Sequence, residues 1–192
     1  MPPPAPLATP AQLGALLQQT ISSTDPSALQ LLAQASGVIR RYLDLTVTQV
    51  LGDVELGTPE DGVVFLRESP VTNVSLVEVQ DPWTGVWSTV PSTAYKASLR
   101  LGTVSQGLVN TAGVRWPTDE ESWRITYDHG FETVPDDLMG VCVGVASRFY
   151  SVPAGVDAER IGNRQVKYSL TADDLNALER LTLDGYRWGK LA

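Results

Sequence analysis

The chain has 192 residues, 43% hydrophobic and 19% charged, the balance of a folded domain and not of a disordered segment. A single cysteine, Cys142, excludes an intrachain disulfide framework and a cysteine-rich zinc site, and a single histidine, His129, excludes a multi-histidine metal cluster. The net charge of −8 argues against a free-standing nucleic-acid binder. The opening MPPPAPLATP has neither the basic start nor the apolar core of a secretory signal. The longest apolar stretch, Leu138 to Ala146, is too short to span a membrane and contains two glycines. A soluble intracellular product without a membrane partner is expected.

Pro2, Pro3, Pro4 and Pro6 favour an extended arm. Thr9-Pro10 then pairs a capping side chain with proline at a first helical position, predicting a short helix with Leu13, Leu16 and Leu17 on one face. Asp25-Pro26 repeats the signal and opens a helix running to about Leu43. Leu29, Leu32, Ser36, Ile39 and Leu43 keep helical spacing there, and a second stripe of Leu31, Ala35, Val38 and Tyr42 runs alongside. Two stripes imply cover from more than one side, by neighbouring helices or neighbouring subunits.

From Thr46 the period changes. Thr46–Val54 is rich in β-branched residues, and Val71–Val79 alternates as a strand does. Further strands are predicted near Val63–Arg67, Gly85–Val90, Gly107–Asn110 and Trp123–Tyr127, separated by turn signals such as Ser69-Pro70 and Asp81-Pro82. Helix returns at Pro135-Asp136-Asp137, where acids suit the first turn, with Leu138, Val141, Cys142, Val145 and Phe149 as its apolar stripe. Gly140, Gly144 and Ser147 give the same helix a side of small residues. A short strand is predicted at Arg164–Ser169. A last helix, capped by Thr171 with Asp174, carries Leu175, Leu178 and Leu181 and ends before Gly185.

These elements define an α+β fold: a small helical bundle, built from N-terminal helices plus two C-terminal helices, with a β-rich insertion between the second and third helices. The boundaries are 1–45 (proline-rich arm and N-terminal helices), 46–133 (the insertion) and 134–192 (C-terminal helices and a basic-aromatic tail). Charge follows the same division. Residues 46–133 hold twelve acids and five bases, whereas the flanking parts are close to neutral.

Chemistry is thin in this sequence. Asp128 and His129 are neighbours that could in principle exchange a proton, but adjacent residues of a strand face opposite ways, so a structural histidine is the stronger reading. Cys142 lies in an apolar stripe with no histidine close in sequence and reads as a core thiol. Asp119-Glu120-Glu121 lacks the pattern of a calcium loop and reads as a solvated turn. No catalytic residue, cofactor or metal site is assigned. Trp83, Trp87, Trp116 and Trp123 all fall in the insertion, which leaves open a carbohydrate- or host-surface-binding β module as the alternative function. Trp188 stands apart in the tail, with Tyr186, Arg187 and Lys190 around it, a composition suited to anchoring on a partner.

The stretch Ile125-Thr-Tyr-Asp-His-Gly-Phe-Glu-Thr-Val-Pro-Asp-Asp-Leu138 resembles the strand, turn and helix start of tailed-bacteriophage head–tail connector proteins, also called adaptor or head-completion proteins. Ala146-Ser-Arg-Phe-Tyr150, Pro153-Ala-Gly155, Glu159-Arg-Ile-Gly162, Val166-Lys-Tyr168 and Leu170-Thr-Ala-Asp-Asp-Leu175 follow in the order usual for that family. Pro10-Ala-Gln-Leu13 and the helix ending Ile39-Arg-Arg-Tyr42 add to the likeness, whose style is that of phages infecting actinobacteria. The insertion is longer than compact members of the family carry.

The resemblance implies a non-enzymatic virion component at the head–tail interface, assembled in the host cytoplasm. It would form a homo-oligomeric ring, usually dodecameric, beneath the portal protein. The ring would extend the channel for double-stranded DNA without binding it specifically, and meet a tail-side neck, stopper or tail-completion protein. By position, Tyr186, Arg187, Trp188 and Lys190 would grip the portal. Tyr42, Gly140, Gly144, Arg148 and Tyr150 would pack between subunits. Excess acid suits a DNA conduit, because carboxylates repel a passing phosphate backbone.

Overall fold

Two of the predicted helix starts are built as their sequences dictate. In a computed structural model, which describes residues 4–107, 116–151, 158–161, 164–167 and 175–187, Thr9 caps α1 (Pro10–Leu17) in a capping box with Gln12. The Asp25 carboxylate caps α2 (Pro26–Leu43) through the N–H groups of Ser27 and Ala28. The remaining elements are β1 (Val50–Gly57), β2 (Val63–Phe65), β3 (Val71–Gln80), β4 (Trp87–Thr89), β5 (Tyr95–Ser98), β6 (Thr103–Gln106), β7 (Trp123–His129), α3 (Asp136–Ser151), β8 (Ala158–Ile161), β9 (Arg164–Lys167) and α4 (Ala177–Asp184). The fold is α+β, with helices at both ends of the chain and a β-rich middle. Among the described residues no helix is long and apolar enough to cross a membrane.

The chain divides into two compact units, residues 1–45 with 134–192, and residues 46–133. In the helical unit α2 packs on α3, α1 lies against both, and α4 contacts α2 and α3. Leu13, Leu32, Ala35, Ile39, Leu43, Leu138, Cys142, Val145, Ala146 and Leu183 are buried. Ser36 is polar and fully buried, and its hydroxyl is satisfied. It donates to the Leu32 carbonyl (2.6 Å), accepts from the Leu7 N–H (2.8 Å) and sits 3.4 Å from Cys142 Sγ. Burial holds the Cys142 thiol above its ordinary pKa, so it behaves as a core residue. Of the two predicted stripes on α2, Leu29 proves exposed and Ala28 takes the buried place, while Leu31, Val38 and Tyr42 are half-buried.

The β-rich unit contains a four-stranded antiparallel sheet, ordered β1-β7-β3-β4, and a three-stranded antiparallel sheet, ordered β2-β6-β5. β7 is the central strand of the larger sheet and has a clean period of two. Trp123, Ile125, Tyr127 and His129 are buried, and Arg124, Thr126 and Asp128 are half-buried. Its inward face meets Val64, Val77, Val79, Val90, Ala94 and Val104 from both sheets, forming one core. The Trp123 indole N–H donates to the Pro117 carbonyl (3.0 Å), and Trp116 tilts against the same ring at 4.6 Å.

Gly130, which follows β7, explains the glycine in the Tyr-Asp-His-Gly stretch. Its φ is +83°, and a Cβ there would stand 2.5 Å from the Thr48 carbonyl oxygen. That close approach lets Phe131 N–H reach the Val47 carbonyl (2.9 Å) and Gln49 N–H reach the Phe131 carbonyl (3.0 Å), tying the two ends of the unit together. Thr46–Gln49 is spent on this tie, so β1 begins at Val50, four residues later than the β-branched composition suggests.

Candidate assembly surfaces

The C-terminal segment of the helical unit gathers most of its surface chemistry. Asn176 caps α4, and Glu179 completes the capping box by accepting the Asn176 N–H (2.9 Å). The same carboxylate takes a two-pronged ion pair from Arg148 on α3 (2.8 and 2.9 Å), although the Glu179 residue is only 8% exposed. Gly144 leaves room for this arrangement, since a Cβ at that position would lie 3.3 Å from Glu179 Oε1. Just beyond α4, the Tyr186 hydroxyl donates to both carboxylate oxygens of Asp137 (2.6 and 2.7 Å). The Tyr42 hydroxyl donates to Asp184 (2.7 Å), and the Arg187 guanidinium lies over the Tyr42 ring at 5.2 Å.

Of the predicted portal-binding residues, Tyr186 and Arg187 are therefore brought together with Tyr42, Asp137 and Asp184 on the helical unit. Trp188 and Lys190 lie outside the described residues. Of the predicted subunit-packing residues, Tyr42, Gly144 and Arg148 have the neighbours just named within the chain. Gly140 is exposed, with open space where a Cβ would be, and Tyr150 is exposed as well.

The difference between the two glycines has a measurable consequence. Gly140→Ala is expected to stabilise the chain by roughly 0.5–1 kcal/mol, because it restricts the unfolded backbone at no steric cost. Gly144→Ala is expected to forfeit most of that gain, since the Glu179 carboxylate must give way. Urea titrations of the two variants, followed by circular dichroism, would separate them.

Tyr186 offers a second test. Burial, and then the Asp137 carboxylate, push its phenol up to about 12 from an ordinary value near 10. A pKa raised in the folded state means the bond contributes fully below about pH 10 and is lost as the pH climbs toward 12. Difference absorbance at 295 nm between the native chain and a Tyr186→Phe variant should show a phenol ionising near pH 12. Ionisation near pH 10 would mean that the contact with Asp137 is absent in solution.

The α4 stripe is not as its leucine spacing suggests. Leu175 and Leu183 are buried, but Leu178 and Leu181 are each 71% exposed, and the helix starts at Asn176-Ala177. The predicted cap residues Thr171 and Asp174 lie outside the described residues. The signal for the true start was present in Asn176-x-x-Glu179, which has the capping-box spacing.

In the β-rich unit, Asp128 and His129 do face opposite ways. Asp128 accepts from Gly52 N–H (2.7 Å) and Asn73 (3.1 Å), which together hold its carboxyl below the usual range. His129 is buried, its Nε2 3.2 Å from Asp53 and its Nδ1 4.0 Å from Glu68. A side chain 2% exposed gives a substrate no access to the imidazole. Among the described residues no group of three His, Cys, Asp or Glu is placed to hold a metal ion.

The tryptophans do not form a stacking platform. Trp123 is buried, Trp116 packs on it, and Trp87 lies under Arg124, which is bound in turn to Glu78 across the strands (2.7 Å). Trp83 is different. It stands 80% exposed at the tip between β3 and β4.

No family profile matches the chain, and no curated protein matches it. Solved structures do. One chain from the neck of a native gene transfer agent (GTA) particle, computed with C12 symmetry, superposes with a TM-score of 0.58 at 15% identity, covering 96% of this chain and 91% of that one. A chain from the neck of an empty GTA particle, computed with C6 symmetry, gives 0.55 at 14% identity, covering 95% and 90%. The protein thus shares its fold, over nearly its whole length, with chains from the necks of phage-like particles.

Proposed function

We propose that the protein is a structural virion component of the neck, a head-to-tail adaptor whose copies form a ring beneath the portal and join the capsid to the tail-side proteins. The observation that carries this reading is the near end-to-end likeness of the fold to chains of GTA necks, in assemblies of twelvefold and sixfold symmetry. It accords with the connector-like stretch Ile125–Leu138, which spans the end of β7 and the start of α3. A role without catalysis fits a buried histidine, a core cysteine and a β-rich unit rich in carboxylates. Ring formation buries two different faces of every subunit, and Gly140, Tyr150, Leu178 and Leu181 are exposed positions of the helical unit available for that purpose.

In this reading the terminal segment contacts the portal. Tyr186 and Arg187 fix where it leaves the helical unit, and Trp188 and Lys190 supply the anchors. The test is to mix the full chain with assembled portal rings from the same genome, beside a chain lacking residues 185–192, and to follow both by sedimentation and electron microscopy. A ring of added density that is lost with the truncation is the expected result. Density that survives truncation would discard the anchoring role of the tail, and no association at micromolar concentration would overturn the adaptor reading.

A further inference from the structure

The β-rich unit is polar along its strands. β3 runs for ten residues, roughly 30 Å, from Val71 to Gln80. At its far end, three turns meet. Gln80 N–H donates to the Ser122 carbonyl (2.8 Å), and Glu121 N–H donates to Thr58 Oγ1 (3.0 Å). The β3–β4 tip, the Asp119–Ser122 turn and the β1–β2 turn are therefore at one end. That end carries the exposed acids Glu60, Asp61, Asp119, Glu120 and Glu121, and among the described residues none of them has an ion-pair partner.

At the same end, on the β3–β4 side of the sheet, stands Trp83. Its loop is rigidly built: Asp81 Oδ1 accepts the N–H groups of Trp83 and Thr84 (both 2.9 Å), Gly85 N–H donates to the Asp81 carbonyl, and Gln80 donates to the Gly85 carbonyl. A large aromatic held out by a fixed loop loses little conformational entropy when it is buried by a partner.

The opposite end has the complementary character. The β5–β6 turn, Leu99–Gly102, reaches the start of β3, where Gly102 lies beside Val71. It is joined to the end of β2 through Leu66 N–H and the Gly102 carbonyl (2.7 Å). Here Phe65 is 64% and Leu101 65% exposed, with Leu99 beside them. Arg67 and Arg100 stand among these apolar side chains, both exposed, and among the described residues neither guanidinium is in an ion pair. Of the bases described in this unit, Arg124 is already committed to Glu78, which leaves the arginines of this end open to an outside carboxylate.

We infer that the β-rich units of neighbouring copies associate head to tail, the acidic, Trp83-bearing end of one copy seated on the Phe65, Leu99 and Leu101 patch of the next, with Arg67 and Arg100 meeting Glu120 and Glu121. The occupant is a second copy of this chain because the two ends match each other in both charge and apolar content. Two unlike patches at opposite ends of one unit generate a contact that repeats from copy to copy, as a ring requires, whereas a two-fold contact needs one self-matching patch. The inference rests on the ring reading and names the contact within it.

Two variants test the contact on the full chain, free at its highest soluble concentration and on portal rings. Arg67→Glu with Arg100→Glu puts acids on both sides of the contact, and Glu120→Arg with Glu121→Arg puts bases on both sides of it. Each double variant alone is expected to lose association about tenfold or more, and an equimolar mixture is expected to regain it as alternating assemblies. In a second arm, Thr84→Cys and Ser98→Cys are joined by a bifunctional maleimide, with the buried Cys142 as a silent background. A ladder beyond dimers that needs both cysteines supports the contact. Dimers from either single cysteine would mean a two-fold contact and overturn it. Rings forming on the portal without a ladder, or assembling normally with Trp83→Ser, would overturn the contact and leave the ring reading standing. Failure of every variant and of the native chain to add to the portal would overturn both.

Discussion

Trp123→Ala is expected to lower the stability of the β-rich unit by about 3–5 kcal/mol, the cost of emptying a buried aromatic site that its surroundings only partly refill. Trp123 is fully buried, lies at the start of β7 and belongs to the core that residues of both sheets build together, so the vacated space opens in a shared core. Its loss also removes the surface on which Trp116 packs and orphans the Pro117 carbonyl. Trp123→Phe keeps most of the volume and loses the hydrogen bond, so it should cost markedly less. Urea unfolding, read through the fluorescence of Trp83, Trp87 and Trp116, would give both values. A change below about 1 kcal/mol for the alanine variant would mean that the two sheets do not share this core.

Glu179→Ala should have the second largest effect, about 3 kcal/mol, and confine it to the C-terminal helix. Two losses combine there. The N-terminal cap of α4 loses one of its two reciprocal bonds, worth about 1 kcal/mol. The ion pair with Arg148 disappears too, and its guanidinium is left without its strongest partner in a half-buried setting. Because the Arg148 side chain keeps 38% of its exposure, that second loss is set at about 2 kcal/mol, below the range for fully buried pairs. Glu179→Gln retains an acceptor for the Asn176 N–H but gives up the charge, so it separates the two contributions. Amide exchange across residues 175–187 is the appropriate readout. Protection that falls there and holds in α1 and α2 would match the expectation, and a uniform fall would mean that α4 is integral to the helical core.

How far the sequence alone reaches depends on whether a signal is local. The starts of α1 and α2 follow from Thr9-Pro10 and Asp25-Pro26, because a cap is a contact between residues three apart. β7 follows from alternation, since its inward residues are all claimed by one core. β3 keeps the pattern only near Val77 and Val79, because irregularities in its pairing with β7 leave Asn73 and Ser75 exposed and turn Val74 toward the core. β5 and β6 escape the pattern. Each is four residues long, and Tyr95–Ser98 and Thr103–Gln106 hold too few apolar residues to establish a period. Of the strand expected at Gly107–Asn110, Gly107 is in neither sheet, and the rest lies outside the described residues. Leucine spacing misleads in α4, where the helix has a short buried edge and Leu178 and Leu181 point outward. The surfaces were less legible than the fold. Asp119-Glu120-Glu121 looks like any solvated turn until the topology sets it at the same end of the strands as Trp83 and at the opposite end from Arg100, residues with nothing in common along the chain.

The tie between Val47 and Phe131 has one more consequence. The chain enters and leaves residues 46–133 through a single hydrogen-bonded doorway, so Leu45 and Val134 each stand only a few residues from the same point. An element attached in that way is interchangeable in principle: joining Leu45 to Val134 with a short glycine-serine linker asks the helices to close a gap no wider than the one they already close. Lineages could thus lengthen, replace or lose the β-rich unit while the helical frame keeps its own core.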